Sequence, residues 1–299
     1  MNEISLETLT DLFDQFENTA EQKQCAALLL DHLGLNRLDD YLELTHHATS
    51  AYAALIERLD EPRPCDPDAL ETLDWVMDLM DCDPKTGLYS FNNPLEHRLW
   101  QHREESLARQ HPVPVSAICW HRGCQLAARG RWEAAGSSME WALRWDPASA
   151  PICLACARCT TDPRRKETML KAAIYNALNS RDLGQAYQEL SLLYGQDTAL
   201  AAACALTAML YDPDIPVSGP LLAADPDGLP TLTEIQQELR ARGLPFYVPT
   251  DKTSALLAIW QEDPALRDSL EPVIANLYPM MRPDAQKQFA ELLEEADTD

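Results

Sequence analysis

Apolar side chains recur along this chain at spacings of three and four residues, the periodicity of amphipathic helices. Leu6, Leu9, Leu12 and Phe13 share one helical face. Ala26, Leu29, Leu30 and Leu33 share another, with Gly34 placed as a stop. Leu38, Leu42, Tyr52, Leu55 and Leu59 predict a longer helix over about 36–60, broken at Glu61-Pro62-Arg63-Pro64. Asp66-Pro67 reads as a cap with a first-turn proline, before a helix carrying Ala69, Leu73, Val76, Met77 and Met80. Asn93-Pro94 opens a helix to about Ala108. His111-Pro112-Val113-Pro114 is a short break, and Ser116 can cap the next helix. Helices then continue to about Leu210.

The pattern changes at Tyr211. Pro213, Pro216, Gly219, Pro220, Pro226, Gly228 and Pro230 crowd the stretch to 230, which reads as a linker or long loop. Thr231 with Glu234 forms a capping-box pair for a helix over 231–242. Gly243 to Pro249 is an extended, proline-bounded segment. Three helices are expected after it, over 251–261, 264–278 and 283–296. No run alternates as a strand should, so the expected class is all-α.

Within the helical middle, one segment has a denser pattern. Over 116–149, Gly123 is the small residue of a first helix, and Gly130-Arg131-Trp132 suits a tight turn. Ala135, Met139 and Ala142 lie at i, i+4 and i+7, so two small residues flank a bulky one on a single face. Leu143, Trp145, Asp146 and Pro147 close the second helix. The segment resembles one tetratricopeptide repeat, with Cys119 and Arg122 standing where that family carries a Trp and a Leu. The stretch 167–200 is a weaker copy: Leu170, Ala173, Ile174 and Ala177 would form its first helix, and Ala186, Leu190 and Leu193 its second. The window 53–86 shares only the closing Asp83-Pro84. The stretch 150–166 starts as a repeat and is cut by Thr160-Thr161-Asp162-Pro163.

The resemblance implies a right-handed α–α superhelix, an array of helical hairpins with additional N- and C-terminal helices. It suggests an acidic helical region over 1–112 (degenerate repeats or a cap), a repeat-like core over 113–210, a linker over 211–230 and a helical region over 231–299. It also implies a groove lined by first helices. Carried over residue by residue, the partner-binding positions are Trp120, Cys124, Arg158, Lys171, Tyr175 and Asn179, with Ala117, Ala127, Ala128, Leu154, Thr168 and Leu178 beside them. Such a surface suits an extended or helical peptide with some acidic character. The carboxylate clamp of chaperone-binding relatives is not reproduced. Trp120 and Cys124 replace its Lys and Asn, and Lys171 is followed by Tyr175 rather than Asn.

Charge locates the same region. The chain has 48 acidic and 24 basic side chains, net −24, which disfavours nucleic acid and anionic membrane as partners. The first hundred residues are net −15 and those from 201 onward net −11. Residues 101–200 are net +2, so the acidity belongs to the flanks. They read as solvated faces, or as arms that repel acidic surfaces while the middle accepts a partner.

Candidate chemistry is sparse. Cys153, Cys156 and Cys159 sit three residues apart, with Cys119, His121 and Cys124 one repeat earlier. Three thiols could start a zinc or iron–sulfur site. On a continuous helix they spread over roughly 9 Å of rise, which is poor for one tetrahedral ion, and Cys153 and Cys156 fall at core positions. His46-His47 project about 100° apart, and His97 and His102 also fail to share a face. Asp225-Pro226-Asp227-Gly228 lacks the third oxygen ligand of a calcium loop. No nucleophile elbow, phosphate loop or zinc-protease motif is present. The start of the chain has no secretory pattern, and the thirteen-residue run from Thr198 to Leu210 is shorter than the roughly 20 residues of a membrane span. The expectation is a cytoplasmic, non-catalytic scaffold, adaptor or chaperone for a protein or peptide, without cofactor or metal. Two alternatives stay open: a metal- or redox-sensing protein using Cys153, Cys156 and Cys159, and an enzyme with an unrecognised site.

Overall fold

Helical periodicity becomes helices. In the computed structural model the described residues are Leu70 and 88–104, 108–110, 115–195, 197–216 and 230–296. Among them are eleven α-helices: α1 (Pro94–Glu104), α2 (Val115–Ala128), α3 (Trp132–Trp145), α4 (Ala150–Cys159), α5 (Pro163–Asn176), α6 (Ser180–Leu193), α7 (Thr198–Tyr211), α8 (Leu232–Ala241), α9 (Thr250–Glu262), α10 (Arg267–Leu277) and α11 (Pro283–Ala296). The helices expected before residue 88, His46-His47 and Asp225 to Gly228 lie outside the described residues, as does most of the proline-rich stretch. The one departure from an all-helical reading is a two-residue parallel pair. β1 (Leu88–Tyr89) aligns Leu88 with Arg109 and Tyr89 with Gln110 of β2 (Arg109–Gln110). Two residues are too few to show an alternation in sequence.

Two compact units are distinguished. One holds the described parts of 1–92 and 109–147, the other those of 93–108 and 148–299. In the first, α2 and α3 form a hairpin around Ile118, Cys119, Leu126, Ala135, Met139 and Ala142, all buried. Gly123 marks a close approach: a Cβ there would come 2.7 Å from Met139 Cε, the flexible end of that side chain. Gly130, at φ +72°, makes the turn between the helices. Residues 90–92 lie across the hairpin's end. Ser90 N donates to Trp145 O at 2.9 Å, and Asn92 N donates to Asp146 Oδ2 at 2.9 Å. The expected cap Ser116 lies inside α2, which begins one residue earlier, and its hydroxyl accepts from Asn92 Nδ2 at 3.1 Å. Arg122, where the repeat family carries an apolar residue, donates across the hairpin to Ser138 Oγ.

In the second unit the expected interruption at 160–163 is itself a hairpin turn. Asp162 Oδ1 accepts from Arg164 N at 3.1 Å, and Pro163 opens α5, which packs back on α4. α6 and α7 pair in the same manner, with Asn179 capping α6 and Asp197 capping α7. α8 begins with the full capping box of Thr231 and Glu234 and packs on α7. α9 packs against α1, α10 and α11.

Candidate functional site

Three helices of the second unit, α1, α5 and α9, surround a half-open cavity of about 460 Å³. Its polar wall contains Glu96, His102, Arg103, Asn176, Asp251 and Lys252, and its apolar wall Leu99, Trp100, Ala255 and Ala258. Helical spacing explains the convergence. Glu96, Leu99, Trp100 and Arg103 follow at three and four residues on α1, as do Asp251, Ala255 and Ala258 on α9. The end of α5 supplies Tyr175 and Asn176. The volume falls within the range of pockets that hold small ligands.

Lys252 is the unusual group. It is only 6% exposed, although lysine is among the residues least often buried. Its Nζ donates to Tyr175 O at 3.0 Å and also to Ala177 O. Those carbonyls belong to the last turn of α5 and its C-cap, where no further helical N–H can reach them. Burial pulls the amine down to about 7, against the attraction of Asp182, Asp251 and Glu96 and with the repulsion of Arg103. Arg103 holds the rim. Its guanidinium lies 4.4 Å over the Trp100 ring and 5.6 Å over the Tyr175 ring, and Nη1 donates to Asn176 Oδ1 at 3.0 Å.

The sequence-chosen binding residues are distributed differently. Trp120 and Cys124 lie on α2 of the first unit. Trp120 is half-buried with its ring 5.3 Å from that of His121, and Cys124 is exposed. The other four belong to the second unit. Arg158 Nε lies 3.2 Å from Glu189 Oε1, while Lys166 Nζ reaches Glu189 Oε2 at 2.9 Å, so one carboxylate ties α4, α5 and α6 together. Lys171 pairs with Glu167 at 2.8 Å and donates to Arg242 O at 3.0 Å at the end of α8. Asn179 spends its amide on capping, accepting from Asp182 N at 2.8 Å and donating to Asp182 Oδ2 at 2.8 Å. Of these six, Tyr175 is the residue that lines the cavity. Leu154, expected beside Arg158 in the groove, is buried at 2% exposure.

Cys153 and Cys156 are buried on α4. Cys159 is half-buried, with its thiol raised by burial against the pull of Arg158. Among the described residues no group of three or more His, Cys, Asp or Glu side chains is arranged to hold a metal ion. None of their helices is long and apolar enough to cross a membrane.

The residues that sequence reading missed are Glu96, Trp100, Arg103 and Lys252. Trp100 and Arg103 carried a signal, an aromatic and a cation one turn apart. Lys252 carried none, because a lysine in the first turn of a helix is ordinarily solvated. No protein-family model, curated protein or solved structure matches this chain.

Proposed function

We propose that the chain is a non-catalytic helical-hairpin scaffold, an adaptor or chaperone that binds a polypeptide segment on its helical hairpins. The observation that supports it is the α2–α3 hairpin. Gly123 under Met139, with Ala135 and Ala142 fully buried beside it, gives the close helix approach on which repeat scaffolds depend. Within the second unit, α4–α5 and α6–α7 are helical pairs as well. Half-buried Trp120 and exposed Cys124 offer contact area on α2, and Arg158 and Lys171 offer cationic contacts on α4 and α5.

The test is capture from native extract by immobilised full-length protein, compared with Arg158→Glu/Lys171→Glu. The reading expects a defined polypeptide that binds saturably when purified. It expects retention to fall by ~10-fold in the double variant, with the helical circular dichroism unchanged. Equal retention by both proteins removes the groove assignment.

A further inference from the structure

We infer that the α1–α5–α9 cavity is a binding site for a small organic monocarboxylate with a short apolar body. This does not depend on the scaffold reading, with whose binding residues the cavity shares Tyr175.

The deepest polar group in the cavity is a donor with capacity to spare. An ammonium has three N–H groups. Lys252 uses two, on Tyr175 O and Ala177 O, and those are its only acceptors among the described residues. A buried donor without an acceptor is destabilising, and an acceptor arriving in the cavity relieves it. Arg103 is also only partly engaged: Nη1 is on Asn176 Oδ1 and Nε on Glu104 Oε1 at 3.2 Å. Its fork is a carboxylate partner by geometry.

Donors set the ligand's charge. Lys252 and Glu96 are buried, while Arg103 and Asp251 are exposed and screened by water, so the lining charges balance in pairs. The remaining N–H of Lys252 and the fork of Arg103 are satisfied by a single carboxylate, and a dianion brings a second negative charge toward buried Glu96. His102, beside Arg103, lies 3.5 Å from Glu262 Oε2 and so already has an acidic neighbour. Leu99, Trp100, Ala255 and Ala258 leave the rest of the cavity apolar, suited to an alkyl or phenyl body. The Trp100 ring, already under a guanidinium, adds a flat wall.

Binding couples to protonation. The groups facing Lys252 are Asp182 from α6, Asp251 and Glu96, which favour its charge, and Arg103, which opposes it. Burial holds the amine near 7, and a bound carboxylate stabilises the ammonium and raises it again. Affinity must fall as pH rises through that value.

The experiment is calorimetric titration of the full chain at pH 6.0 and 8.5. The probes are the straight-chain monocarboxylates from butanoate to octanoate and 3-phenylpropanoate, each paired with its primary amide. The expected result is saturable binding of at least one acid, ~10-fold or more tighter than its amide, and ~10-fold weaker at the higher pH. Arg103→Gln weakens that acid ~5–10-fold while the chain keeps a cooperative melting transition, and Ala258→Leu blocks it by occupying the apolar end. Arg103→Gln and Ala258→Leu leave Lys252 in place, so the test does not depend on a substitution of the buried lysine folding. No saturable binding by any acid, equal binding of acid and amide, or affinity indifferent to Arg103→Gln each overturns the inference. Loss of polypeptide capture by the hairpins leaves it untouched.

Discussion

The rings of Tyr187 and Tyr211 stack 5.8 Å apart and 6° from parallel, and their hydroxyls donate to consecutive carbonyls. Tyr187 donates to Pro245 O, and Tyr211 to Phe246 O at 3.1 Å. Helices α6 and α7 thus hold the extended segment after α8 by two partly buried hydrogen bonds. The segment cannot satisfy those carbonyls itself, since it is neither helix nor strand. Burial keeps both phenols protonated by pushing their pKa upward, which preserves the donors. Tyr211→Phe keeps the stack and strands one carbonyl, so it should destabilise by about 1–2 kcal/mol. Tyr187→Phe should do the same, and the double variant should lose less than the sum because the two donors hold one segment. Urea unfolding of the four proteins measures this. A fully additive pair removes the shared-strap account.

Two glycines should respond unequally to the same methyl group. At Gly123 the nearest atoms to an added Cβ are Met139 Cε at 2.7 Å and Sδ at 2.9 Å, the flexible end of an adaptable side chain. At Gly184 they are Asp212 Cβ and Ile215 Cδ1, each at 2.7 Å, with Ala208 O at 3.1 Å. The second set includes backbone and a Cβ, which cannot swing away. Gly123→Ala should therefore change stability by under about 1 kcal/mol, while Gly184→Ala should destabilise by about 1–3 kcal/mol. Equal urea midpoints for the two variants would falsify the packing account.

Much of the helical content was legible because periodicity is a local property. Thr231 and Glu234 announce α8 by residue type and spacing alone, and the structure makes both of their reciprocal hydrogen bonds. Thr160 to Pro163 shows where local reading stops short. Its polar residues and proline read as a break in a repeat, yet the same residues build a capped hairpin turn. The cavity was illegible for a different reason. Arg103, Tyr175 and Lys252 are separated by more than 70 residues in sequence, and only tertiary packing decides that α9 presents Lys252 to the end of α5. Asn179 reads as a ligand contact because its register suits the groove. The structure uses it as a cap, a role that Asn at a helix start signals equally well.

Glu189 is the junction of three helices, and its removal should be felt in acid. Burial opposes its ionisation, but hydrogen bonds and charge from Lys166 and Arg158 outweigh this and hold its pKa below the usual value. A carboxyl depressed on folding contributes stability that is present above the unfolded value near 4.5 and is lost as pH falls through the folded one. Arg158 is half exposed, so its share is small. Glu189→Gln should destabilise by about 1–2 kcal/mol at pH 7 and by less near pH 3. Urea midpoints of both proteins between pH 3 and 7 test the slope. A difference that does not shrink in acid contradicts the ion-pair assignment.

Lys252 makes the opposite prediction at alkaline pH. Its amine sits at about 7 in the folded chain against 10.5 when unperturbed. Between those values the unfolded state binds the extra proton, so stability rises with pH across that window. Below 7 both states carry the charge, and the folded state holds it buried. Other groups also titrate between pH 7 and 10, so the readout is the difference from Lys252→Met, in which this group is silent and the rest are retained. The wild type should gain on the variant as pH is raised from 6 to 9.5, most steeply above 7. The variant also loses the two hydrogen bonds to the end of α5, which lowers its stability at every pH without altering the slope. Parallel pH profiles of the two proteins would mean that Lys252 is ordinarily charged in the fold, with its amine open to water.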